Sequence, residues 1–98
     1  MVLNVNGIRY QISDATREFL DKKLQKLSFA EDYIQDLDIV MTRLKVGQGY
    51  HLDAKMHFVW GSYKVVSADC YELYEGIEIL VDKIEAMARK EKGKVVDH

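Results

Sequence analysis

The chain has 98 residues, 48% of them hydrophobic, and 14 Lys and Arg against 16 Asp and Glu give a formal net charge of −2. That is apolar material for one compact core and too little for two, so one domain over 1–98 is expected. With no proline, no low-complexity stretch, no leader-like N-terminus, no apolar run near the ~18 residues of a membrane span and Cys70 as the lone cysteine, disorder, a membrane partner and an internal disulfide are excluded, and a cytoplasmic setting fits.

Val2 to Asn6 alternates, with Leu3 and Val5 on one side, and reads as a short strand. Ser13 or Asp14 can cap a helix in which Leu20, Leu24 and Leu27 recur at helical spacing, ending near Phe29. From Ile34 to Val46 the period changes to two, placing Leu37, Ile39 and Met41 opposite Asp36, Asp38, Val40 and Thr42. Gly47-Gln48-Gly49 turns the chain. In the next run Leu52, Ala54, Met56, Phe58 and Trp60 alternate with His51, Asp53, Lys55, His57 and Val59, so one sheet face is apolar and the other wet. Gly61-Ser62 reverses the chain into a last strand, Tyr63 to Ala68.

A long final helix is predicted to open with Asp69, three residues before Glu72, as an approximate capping box. Leu73, Ile77, Leu80, Val81, Ile84 and Ala88 form its apolar stripe. The predicted architecture is α+β: a two-layer βαβββα sandwich with two helices on one face of a four-stranded sheet, like a double-stranded-RNA-binding domain.

Charge along that helix is sorted, acid first and base last, which complements the helix dipole. On a wheel of about 100° per residue, Lys83, Lys90 and Lys94 share one edge with Gly76 and Ile79, while Glu75, Glu78, Asp82 and Glu85 share the other. Arg89 and Lys92 lie on the acidic side near the end. In the first helix Lys22 and Lys26 share the polar face with Glu18, and Lys23 borders the apolar stripe. Two neighbouring helices with both basic edges outward would present one cationic surface suited to a phosphate backbone. The same lysines also make sense as a solvated face that merely satisfies the dipole.

Catalytic or metal chemistry finds little support. Asp36 and Asp38 share a strand face about 7 Å apart with nothing polar converging on them, and His51 and His57 are separated by about 20 Å on a straight strand. Cys70, at the expected helix start, would have its thiol pKa lowered by the dipole if it were reactive, and otherwise it packs. Phe58 and Trp60 fall in phase with the core, although they, Tyr50 and Tyr63 would also suit base stacking. No enzyme activity, cofactor, metal or small-molecule substrate is expected.

The opening LNVNG, the run ISDATREFLDKKLQKL and the segment SADCYELYEGIEILVDKIEAMARK, with Leu73-Tyr74 followed by Ile77 and the pair Asp82-Lys83, resemble the short ribosome hibernation promoting factors and ribosome-associated inhibitor A proteins of the sigma-54 modulation protein-like family. The resemblance implies a factor that binds the small ribosomal subunit and its rRNA in the channel used by mRNA and tRNA, blocking translation. It also implies no C-terminal dimerisation domain, which long relatives carry. By position, its rRNA contacts fall on Lys23, Lys26, Lys83, Lys90 and Lys92, to which the charge pattern adds Lys22, Arg89 and Lys94. The chain departs from its relatives at Ala86, where arginine is usual, and at Glu75 and Glu78, which lower the local positive potential. The alternative is a protein-interaction module, or a homodimer, built on the acidic helix flank or a sheet edge without RNA.

Overall fold

A computed structural model describes residues 1–96. Its elements are β1 (Val2–Ile8), α1 (Asp14–Leu24), a 3-10 segment (Gln25–Ala30), β2 (Ile34–Arg43), β3 (Tyr50–Phe58), β4 (Tyr63–Cys70) and α2 (Leu73–Val96). The strands form one four-stranded sheet in the order β1-β2-β3-β4. β1 and β2 are parallel, which requires a crossover, and α1 supplies it; the remaining neighbours are antiparallel hairpins.

Alternation places Leu37, Ile39 and Met41 of β2 and Leu52, Ala54, Met56 and Phe58 of β3 on one sheet face, all fully buried. Leu20, Leu24 and Leu27 from the first helical region and Leu73, Ile77, Leu80, Val81, Ile84 and Ala88 from α2 close over them, giving the α+β sandwich that the pattern predicts. No helix among the described residues is long and apolar enough to cross a membrane.

At α1 the Ser13 hydroxyl accepts the Thr16 N–H at 3.1 Å, as a cap should. The helix stops earlier than its leucine spacing suggests, at Leu24, and the chain tightens into a 3-10 segment that still buries Leu27. Strands β1 and β2 also shift by a few residues, β1 continuing to Ile8 and β2 ending at Arg43.

Asp69 and Cys70 do not open α2. Both belong to β4, paired with His51 and Tyr50 of β3, so Asp69 does not cap α2. The ladder and the partner across it outcompete the local cap. Glu72 takes that role, its carboxylate accepting the Tyr74 N–H at 3.1 Å. Cys70 thus ends β4, although its sulfur lies against Gly76 in the first turn of α2, whose N–H favours the thiolate and is outweighed. Burial first, then Asp69, Glu72 and Glu75, push its thiol pKa up, opposite to the activation a helix end would give.

Candidate nucleic-acid interface

α2 packs over β3 and β4, with α1 alongside it, so α2 has one flank toward α1 and one toward the β4 edge. Six of the eight candidate cations make contacts on one or the other of these flanks.

On the α1 flank, Lys23 Nζ lies 2.9 Å from Glu78 Oε1, and Lys26 pairs with Asp82. That contact with Asp82 raises the Lys26 pKa further. Toward the C-terminal end of the same flank, the Arg89 guanidinium sits 4.0 Å from the Phe29 ring centroid and 3.6 Å from Glu85, and Lys92 lies 5.4 Å from the Tyr33 ring. Tyr33 stacks on Trp60, which stacks on Phe58, so these two cations rest on an aromatic row rooted in the core. Burial pushes the Tyr33 phenol up, with Arg89 pulling the other way. Lys23, Lys26, Arg89 and Lys92 therefore follow one interhelical groove, interleaved with Glu78, Asp82 and Glu85.

On the β4 flank, Lys83 donates to the Ser67 carbonyl at 2.7 Å. Lys94 lies 3.5 Å from Glu91, a residue only 4% exposed that also meets Lys64 at 3.6 Å and Ser62 at 3.3 Å. Lys90 and Lys22 are exposed, and neither forms an ion pair among the described residues. The wheel separates the two flanks correctly. What it misses is that α1 delivers its lysines to the acidic edge of α2, so opposite charges meet in the groove.

Outside the helices, His51 bridges Asp69 at 2.5 Å and Asp53 at 3.0 Å, and His57 approaches Asp36 at 3.4 Å while stacking on Tyr63 at 4.2 Å. The two histidines thus serve separate cross-strand contacts. Among the described residues no group of three or more His, Cys, Asp or Glu is placed to hold a metal ion. The buried Glu91 and its half-buried partner Lys64 leave no signal in the sequence, because a carboxylate in a basic helix end looks like ordinary surface charge.

Residues 3–96 match the family described as Sigma 54 modulation protein / S30EA ribosomal protein. The chain is similar to the ribosome hibernation promoting factor of Escherichia coli (strain K12), with 34% identity over 99 residues, covering 100% of this chain and 100% of that protein. It is also similar to the ribosome hibernation promoting factor of Azotobacter vinelandii, with 29% identity, covering 99% of this chain and 88% of that one. Among solved structures, a ribosomal subunit interface protein from Coxiella burnetii superposes with a TM-score of 0.84 and 27% identity, covering 95% of this chain and 99% of that one.

Proposed function

The chain belongs to the Sigma 54 modulation protein / S30EA ribosomal protein family, and from that premise we propose that it is a ribosome-associated inhibitor of translation, a hibernation factor that seats on small-subunit rRNA in the channel of mRNA and tRNA. The observation that carries this reading is the end-to-end similarity to ribosome hibernation promoting factors. The role is occupation of a site rather than catalysis.

The helix cations supply the contact chemistry. Lysine and arginine on phosphate oxygens give affinity without reading sequence, and each neutralised phosphate releases counterions. Specificity then comes from the shape of two rods on a sheet matched to a folded RNA surface. The pairs Lys23–Glu78 and Lys26–Asp82 are exposed, and exposed pairs are held weakly, so phosphates can replace the carboxylates. Lys90 and Lys22 need no such exchange. A net charge of −2 is compatible with this because a short Debye length makes local charge decide.

Co-sedimentation with purified small subunits across a potassium chloride series tests the reading. With about five phosphate contacts, log K should fall against log salt with a slope of roughly −3.5 to −4.5. Lys83→Glu combined with Lys90→Glu should abolish binding with little change in melting temperature. Co-sedimentation that ignores both salt and the double substitution would overturn the proposal.

A further inference from the structure

Lys23, Lys26, Arg89 and Lys94 of the helical region meet carboxylates; three cations at one end of the sheet do not. Ile8 of β1 pairs with Thr42 of β2, so Arg9, just past the end of β1, and Arg43, the last residue of β2 and paired with Tyr50 of β3, fall at the same end of the sheet. Lys45 follows in the β2–β3 hairpin. All three are exposed, and none forms an ion pair among the described residues. Asp69, Glu72 and Glu75 lie around the adjoining end of β4 and the start of α2, Asp69 bound to His51 at 2.5 Å and Glu72 to the Tyr74 N–H at 3.1 Å.

Nothing in the stability of the fold accounts for this arrangement. Like charges placed together repel, and Arg9 is the one non-glycine residue with positive φ, at 57°, among those described. A glycine there would be unstrained. Beside these cations lies a cleft of about 280 Å³ whose lining includes Arg43, Lys45, Val46, Tyr50 and Tyr71. Tyr71 is 81% exposed, and Val46 is fully exposed at the hairpin tip. The hairpin is held down over this spot: a Cβ on Gly49, itself at φ 80°, would stand 2.0 Å from the Cys70 carbonyl oxygen. Backbone packing therefore fixes the hairpin lysine next to the Tyr71 strand end.

Exposed cations that form no ion pair and share a cleft with an exposed aromatic ring have the chemistry of a single-stranded RNA platform, phosphates on the charges and a base on the ring. We propose that Arg43, Lys45 and Tyr71 around the cleft, with Arg9 farther along the same end of the sheet, form a second RNA-binding surface that takes an unpaired segment. It lies about 25 Å along α2 from Lys90, taking α2 from its first turn at about 1.5 Å per residue. One RNA fold would thus be held at both ends of the molecule. The ribosomal identity of that RNA rests on the function proposed above.

The test uses the full chain, with Arg43→Ala, Lys45→Ala and Tyr71→Ala combined, and Arg9→Gly separately. Readouts are melting temperature, co-sedimentation with small subunits, and direct binding of a short oligouridylate. The triple variant should melt like the parent and bind subunits at least about tenfold more weakly. Arg9→Gly should melt no lower yet bind less tightly, whereas a purely structural Arg9 would leave affinity unchanged. If the parent binds subunits and both variants equal it, the second surface is wrong and the hibernation reading stands. If the parent ignores subunits but holds oligouridylate through these residues, the surface stands and the ribosomal reading falls. If the parent binds neither, both fall.

Discussion

Lys23 Nζ of α1 stands 2.9 Å from Glu78 Oε1 of α2, and one turn further along the same groove Lys26 meets Asp82. The acidic half of the last helix, which looks along the sequence like a feature of one element, is the electrostatic counterpart of its neighbour. Those carboxylates occupy the lysines that RNA would use.

Neutralising them should therefore help an anionic partner. Glu78→Gln with Asp82→Asn is expected to tighten small-subunit binding roughly threefold to tenfold at low salt, less at physiological ionic strength. The melting temperature should barely move, since the pairs are exposed. Unchanged or weaker binding in the co-sedimentation assay would place the RNA on another face.

Glu91 should matter to folding rather than to RNA. It is 4% exposed; burial drives its pKa up, but Lys64, Lys94 and Ser62 outweigh that and hold it below its ordinary value. A depressed folded value means its stabilising contribution is present above the unfolded pKa of about 4.5 and is lost as pH falls through the folded one. Glu91→Ala should cost about 1 kcal/mol in urea denaturation at neutral pH, because a nearly buried carboxylate that meets Lys64, Lys94 and Ser62 is removed, a modest figure since both lysines are more than a third exposed. A chain as stable as the parent would refute the assignment.

Gly76 is a steric requirement. A Cβ there would stand 2.1 Å from Cys70 Sγ and 3.2 Å from Leu52 Cδ1. Alanine normally gains about 1 kcal/mol over glycine inside a helix, but overpacking costs about 1–3 kcal/mol. Gly76→Ala is expected to lower the melting temperature, and Cys70→Ala in the same chain to recover part of the loss. A double-mutant cycle measures the coupling, and simple additivity of the two changes would show that the sulfur is not the obstacle.

His51 presents both ring nitrogens to carboxylates, Asp69 at 2.5 Å and Asp53 at 3.0 Å, and only the imidazolium can donate to both. Its pKa is raised above 6.5, chiefly by the hydrogen bond to Asp69, with burial opposing. A raised folded pKa gives stability that is complete below about 6.5 and disappears as pH climbs through the folded value. The parent should exceed His51→Gln in stability in mildly acidic buffer, by a modest margin because the side chain is 37% exposed, and the two should converge at alkaline pH. An imidazole titration by NMR with a midpoint at or below 6.5 would contradict this.

Alternation in Leu37 to Met41 and Leu52 to Phe58, and the stripe from Leu73 to Ala88, determined the sandwich without coordinates. Burial of an apolar face is dictated by periodicity, which one segment carries by itself. The eight candidate cations were also visible along the chain, as was the division of the five on α2 between its two flanks. Which of them face carboxylates, why Asp69 joins His51 instead of capping a helix, and how Arg43, Lys45 and Tyr71 come to line one cleft were settled only by tertiary structure. Charge compensation and side-by-side placement are pairwise properties of residues far apart in the chain, and strand register and helix packing set those distances.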